Sequence, residues 1–197
     1  MRSTLIRSLI ATAVIAAPLA AQQGSPAPAG APSAMPAPVV PEVGTVAPDF
    51  TLPVAGKDGI AAEPVTLSKL RGKVVVLAFY PADRTTGCTA EMTKFTNEYA
   101  KLFGDGVVVL PISRDSLASH ASWAKDMNMP FMLVSDTAGV AAKLYGSNSM
   151  RPDRTTFMRN VFIIGKDGKI AHTIVRLNAL SEDAYTALGE AVAAAKK

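Results

Sequence analysis

One residue in this sequence can act as a strong nucleophile: Cys88, the single cysteine among 197 residues. A lone cysteine excludes an internal disulfide, a C-x-x-C redox pair and a cysteine-rich metal site. The two histidines, His120 and His172, are far apart and leave little for a zinc or iron cage. What remains is thiol chemistry at one sulfur. The thiolate is the reactive form, and an ordinary cysteine deprotonates only near pH ~8.5, so its surroundings decide its reactivity. A single cysteine can equally serve as a small buried apolar side chain. Position separates the two readings.

Residues 74–80 (Val-Val-Val-Leu-Ala-Phe-Tyr) form a near-continuous apolar run closed by Pro81. Such a run is too short for a helix and reads as a strand buried on both faces. Residues 107–112 and 131–134 read the same way. Residues 160–164 and 170–175 flank Asp167-Gly168 and predict two strands joined by a tight turn. Helical patterns alternate with these strands. Cys88, Met92, Phe95, Tyr99 and Leu102 recur at spacings of 4, 3, 4 and 3, one apolar helix face. Residues 116–127 predict a second helix, capped by Asp115 or Ser116, and residues 138–145 a short third. Ser181 caps a last helix with Glu182 and Asp183 in its first turn and Lys196 and Lys197 at its end, the charge order that suits the helix dipole. The order β-α-β-α-β-α-β-β-α predicts an α/β domain, a helix-flanked mixed sheet.

Cys88 thus falls in the first turn of a helix that follows a central strand, beyond the loop of residues 81–87. Ligands of open α/β sheets bind beyond the carboxyl ends of the strands. Unpaired N–H groups and the positive end of the helix dipole favour a thiolate there, which predicts a lowered pKa at the mouth of a crevice.

Pro81-x-x-x-Thr85-x-x-Cys88, directly after a strand ending Phe79-Tyr80, resembles the active-site signature of the peroxiredoxins. Ala47-Pro48-Asp49-Phe50-Thr51-Leu52 resembles that family's opening strand, and Leu67-Ser68-Lys69-Leu70-Arg71-Gly72-Lys73 the segment before its catalytic strand. Gly87-Cys88-Thr89-Ala90-Glu91, with Ser113-Arg114-Asp115-Ser116 and Ser119-His120, is most similar to the bacterioferritin-comigratory (Q-type) subgroup. The similarity runs from about residue 43 to the C-terminus. It implies a thioredoxin-like fold and reduction of hydroperoxides without a cofactor.

In that chemistry the Cys88 thiolate attacks one peroxide oxygen and becomes a sulfenic acid, while the other oxygen leaves as water or alcohol. The resemblance gives Thr85 the task of accepting a bond from the peroxide, and Pro81 that of shielding the sulfur. It also calls for an arginine entering a late strand, to favour the thiolate and the charge growing on the leaving oxygen. Arg159, just before the predicted strand of residues 160–164, has the matching spacing; Arg154 fits the same pattern superficially. Glu91 would support the arginine. Two positions depart from the subgroup. Gly165 stands where relatives usually carry Asp, and Thr93 occupies the place of a second cysteine. The oxidised sulfur then requires an external thiol, from a thioredoxin-like protein or a small molecule, or Cys88 of a second copy in a homodimer.

The remaining features set the context. With 49% hydrophobic and 18% charged residues the chain can build a sizeable core, which excludes a disordered protein. A net charge of +4 is too small to argue for nucleic acid. Residues 1–21 read as a secretory signal: Arg2 and Arg7, then a charge-free stretch over residues 9–19 that is shorter than a membrane span, then Ala20 and Ala21. Residues 22–45 are a Pro/Ala-rich linker, so the expected domain covers residues 46–197 of an exported, periplasmic or secreted protein with no membrane attachment after cleavage. Met127, Met129 and Met132 could bind copper through thioethers, although core filling is the favoured reading, since Met is a common gap-filler. The competing functional reading is therefore a non-catalytic thioredoxin-fold module that holds a partner or copper. An inert thiol would favour it.

Overall fold

The computed structural model describes residues 39–149 and 155–197. The expected signal peptide, most of the linker and Arg154 lie outside these residues. Residues 39–45 run along the folded domain: Gly44 N–H donates to the Ile170 carbonyl (2.8 Å), Ile170 N–H to that of Thr45 (2.9 Å), and Val46 bridges Lys169.

Nine strands and five α-helices follow one another among the described residues. They are β1 (Thr51–Leu52), β2 (Val54–Gly56), β3 (Gly59–Ile60), β4 (Val65–Thr66), a 3-10 turn (Leu67–Leu70), β5 (Val74–Phe79), α1 (Thr86–Asn97), α2 (Tyr99–Leu102), β6 (Val107–Ser113), α3 (Leu117–Asp126), β7 (Leu133–Ser135), α4 (Val140–Leu144), β8 (Val161–Ile164), β9 (Ile170–Ile174) and α5 (Glu182–Ala195). Seven strands form one sheet in the order β3-β2-β7-β6-β5-β8-β9, and β1 pairs with β4 alone. β5, β6 and β7 run parallel, while β8, β9, β2 and β3 are antiparallel to their neighbours. This is the predicted helix-flanked mixed α/β sheet.

β5 lies in its interior, between β6 and β8, and every one of its residues is buried. Alternation along the strand divides the core in two. Val74, Val76 and Ala78 face α1, α3 and α5 through Met92, Phe95, Trp123 and Leu188. Val75, Leu77 and Phe79 face α4 and the incoming chain through Ala141, Tyr145, Phe157 and Phe162. Met127 and Met129 pack in the first layer and Met132 in the second, so the sheet separates these thioethers rather than gathering them.

Two expectations need correction, and one hairpin is additional to them. The apolar face from Cys88 to Leu102 belongs to two helices, α1 and α2, because Glu98 takes a non-helical backbone (φ −111°, ψ 24°) between them. The break lets the Tyr99 ring stack on Phe131 (6.2 Å, 21°) while its hydroxyl donates to the Val107 carbonyl (3.2 Å). The opening strand shrinks to Thr51–Leu52. β2 and the edge strand β3, a tight hairpin of three and two residues around Lys57 and Asp58, carry no apolar run long enough to have been foreseen. The last helix is capped as expected, with Ser181 Oγ accepting from Ala184 N–H (3.4 Å).

Leu77 is fully buried in β5. Leu77→Ala should lower unfolding free energy by about 2–5 kcal/mol, read as a shifted urea midpoint with an unchanged m-value.

Candidate active site

The site follows from how β8 joins the sheet. β5 is parallel to β6 on one side and antiparallel to β8 on the other, with Ala78 opposite Val161. The carboxyl end of β5 therefore meets the amino end of β8. Phe79 N–H donates to the Asn160 carbonyl (2.9 Å). Residues just after β5 and just before β8 face one another although they are about 80 apart in sequence. Asn160 is itself buried; its Nδ2 donates to Ser147 Oγ (3.1 Å) and its Oδ1 accepts from Arg176 N–H (3.0 Å). Leu177 N–H donates to the Arg159 carbonyl (2.7 Å), so the backbone carrying Arg159 is held from two directions.

On the other side, Pro81 ends the strand ladder and α1 begins at Thr86. The first helical bond runs from Thr89 N–H to the Thr85 carbonyl (2.8 Å). The N–H groups of Thr86, Gly87 and Cys88 thus belong to the open first turn. Thr85 is the N-cap residue, yet its side chain does not cap the helix. Its hydroxyl donates instead to the Ala82 carbonyl (3.1 Å), which leaves only acceptor lone pairs for a ligand.

Arg159, with a side chain 16% exposed, reaches across to this turn. Both Nη1 and Nη2 donate toward Cys88 Sγ at 3.6 Å, and Nη1 also donates to Glu91 Oε2 (3.0 Å). Gly87 leaves room for the approach: a Cβ at that position would lie 3.0 Å from Nη2, close enough that the guanidinium would have to shift by a few tenths of an ångström. Cys88, Thr85, Arg159 and Pro81 are therefore brought together. Pro81, Thr85 and Arg159 line a pocket of about 630 Å³ with Phe157, Met158 and Leu177.

Cys88 does not line that pocket; it is fully buried beneath it. This corrects the expectation of a sulfur at the mouth of the crevice with a lowered pKa. Burial pushes the thiol above its ordinary value. The Ala82 main chain, the Thr85 hydroxyl in the rotamer that turns its proton from the Ala82 carbonyl to the sulfur, and Arg159 pull it down, an ionised Glu91 pushes it up, and burial prevails. Glu91 is fully buried as well, and burial, opposed by Arg159, raises it to about 8. Its Oε1 has no hydrogen-bond partner among the described residues. At neutral pH Glu91 is accordingly mostly protonated, and the guanidinium charge is left to the sulfur.

Two participants escaped sequence reasoning. Gly87 was part of a matched motif without a stated reason, and only the guanidinium's path supplies one. Asp83 sits in the same loop and is tied to His120, which is buried together with Trp123 on α3. His172 lies exposed on β9.

The Glu91 shift has a defined consequence for stability. Between its ordinary value of 4.5 and about 8 the folded chain holds a proton that the unfolded chain has released, so rising pH favours unfolding across that window. The slope is at most roughly 1 kcal/mol per pH unit. Urea unfolding at pH 5 to 8 should show Glu91→Gln gaining on the wild type as pH rises; parallel curves would refute it.

Residues 43–173 match the AhpC/TSA family. The chain is 39% identical over 134 residues to a putative peroxiredoxin bcp of Coxiella burnetii, covering 66% of this chain and 85% of that one. It is 42% identical over 122 residues to the chloroplastic peroxiredoxin Q of Triticum aestivum, covering 58% of this chain; only 52% of that longer relative is spanned. Among solved structures, peroxidoxin BcpB of Mycobacterium tuberculosis superposes with a TM-score of 0.66 at 27% identity, over 79% of this chain and 98% of that one. PrxQ of Xylella fastidiosa, as a cysteine-to-serine mutant, gives 0.68 at 25% identity, over 79% and 98%. The thioredoxin-like fold is shared with them. A sulfur under a guanidinium at the junction of β5, α1 and β8, in a chain with these relatives, has one home: the chain belongs to the AhpC/TSA family, the peroxiredoxins.

Proposed function

We propose that this chain is an exported one-cysteine peroxidase that reduces hydrogen peroxide and organic hydroperoxides through a sulfenic acid at Cys88. The observation that carries the reading is the pair of Arg159 N–H groups 3.6 Å from Cys88 Sγ beside an acceptor-only Thr85 hydroxyl. A hydroperoxide entering from the pocket offers its O–H to Thr85 Oγ1. The Cys88 thiolate attacks one peroxide oxygen, the O–O bond breaks, and the departing oxygen takes up a proton and leaves as water or alcohol. Negative charge moves from sulfur to that oxygen during the step, and the guanidinium faces both. Pro81 and the apolar walls, Phe157 and Leu177, limit water.

Thr93, at the position of the absent second cysteine, is an exposed residue of α1. The sulfenic acid is then resolved by an external thiol: one thiol condenses to a mixed disulfide with loss of water, and a second releases Cys88 as a thiol. The reductant is proposed to be a thioredoxin-like protein or a small thiol. Export rests on the signal-like pattern of residues 1–21. The copper-binding alternative gains no support from Met127 and Met129 on one face of the sheet and Met132 on the other.

Intact-mass measurement after one equivalent of peroxide should show one added oxygen, trappable by a sulfenic-acid reagent. Cys88→Ser should abolish turnover, and undiminished peroxide consumption by that variant would overturn the proposal. Thr85→Val and Arg159→Gln should each slow the peroxide step by about 10²-fold or more while the fold persists.

A further inference from the structure

The loop between β5 and α1 is fastened to α3 rather than to its own helix. Asp83, its side chain 3% exposed, accepts from Ser119 Oγ at Oδ2 (2.6 Å) and from the Tyr80 hydroxyl at Oδ1 (2.7 Å). Its main-chain N–H donates to Asp115 Oδ2 (2.9 Å). Arg84 follows in a left-handed backbone (φ 58°), unfavourable for a residue with a Cβ, and donates to Ser122 Oγ (3.0 Å) and Asp126 Oδ2 (2.5 Å). Thr85 comes next, and with no side-chain cap on α1 these bonds to α3 take over the task of fixing where the helix starts.

At the centre of this attachment stands His120, fully buried. Nδ1 lies 3.0 Å from Asp83 Oδ2, and Nε2 lies 3.3 Å from the Val134 carbonyl oxygen. Both neighbours are acceptors. A neutral imidazole has a single N–H and would turn a lone pair toward one of them. The other groups around the pair do not change this. The Tyr80 hydroxyl, 3.5 Å from Nδ1, gives its proton to Asp83, Asp115 is engaged by Ser113 Oγ (2.7 Å), and Ser119 donates to Asp83.

We infer that His120 carries both ring protons and is a positioning residue for the Cys88 reaction: its ion pair with Asp83 holds the loop so that the Thr85 oxygen is presented to the peroxide beside the sulfur. The inference rests on the peroxidase reading above. It assigns to a buried histidine, outside the reacting pocket, control over how well the pocket is assembled.

The test has a spectroscopic and a kinetic arm, both on the purified chain. Nitrogen-15 NMR of labelled histidine, with His172→Gln to assign the second signal, should show a directly bonded proton on each ring nitrogen of His120 at neutral pH. A single N–H would overturn the inference. In rapid kinetics, His120→Gln should slow oxidation of Cys88 by hydrogen peroxide about tenfold or more. Its alkylation by iodoacetamide, which needs the thiolate but not the Thr85 acceptor, should stay within about twofold or rise. Ser119→Ala removes one support without stranding a buried charge and should give a smaller loss in the same direction; it carries the kinetic test if His120→Gln does not fold. Unchanged peroxide rates, or peroxide and alkylation rates that fall in proportion, would overturn the positioning role. A wild-type chain inert to peroxide would instead overturn the peroxidase reading beneath it.

Discussion

The Arg159 guanidinium lies against a sulfur that has been taken out of water. Two opposed effects meet there. Burying an ionised thiol costs several kcal/mol in lost hydration, and a full positive charge some 4 Å away returns on the order of a few kcal/mol at the effective dielectric of a protein. Neither overwhelms the other. The resting thiol is held above its ordinary pKa, while every polar neighbour except Glu91 favours its ionisation. Small displacements of the cation then matter a great deal, which explains how much of the surrounding architecture serves to fix it. The antiparallel insertion of β8 beside β5 brings the arginine to the right end of the sheet, Asn160 and Leu177 secure its backbone, and Gly87 leaves its path clear.

Glu91 has two faces in this balance. Ionised, it would compete with Cys88 for the guanidinium and repel the thiolate. Burial, with no partner for Oε1 among the described residues, keeps it largely neutral at physiological pH, so it orients Arg159 at 3.0 Å without cancelling its charge. The same carboxyl that steadies the site is thus a strain on the fold once it ionises.

Much of this was legible in the residues, and the boundaries of legibility are physical. The unbroken apolar run of β5 and the 4-3-4-3 spacing after Cys88 announce a buried strand and the helix that follows it, because burial writes periodicity into sequence. The kink at Glu98 was hidden, since the apolar face continues across it into α2. The short strands β2 and β3 were hidden for a different reason: two or three residues in a glycine-flanked hairpin carry no period. At the site, the motif named Cys88, Thr85, Pro81 and Arg159, and the topology assembles them. The direction of the Cys88 shift was misjudged because a helix start can be read locally whereas desolvation depends on what covers the sulfur. The Asp83–His120 tie spans residues on separate elements, and neither residue type by itself signals it.

The Thr85 hydroxyl has a single proton, and the Ala82 carbonyl holds it. A molecule lying over the sulfur must therefore bring a hydrogen of its own to that oxygen. Hydroperoxides have one. On the proposed peroxidase reading, dialkyl peroxides, with carbon on both sides of the O–O bond, would set lone pair against lone pair, so a carbonyl three residues upstream of a threonine would make the pocket discriminate between two kinds of peroxide that contain the same weak bond.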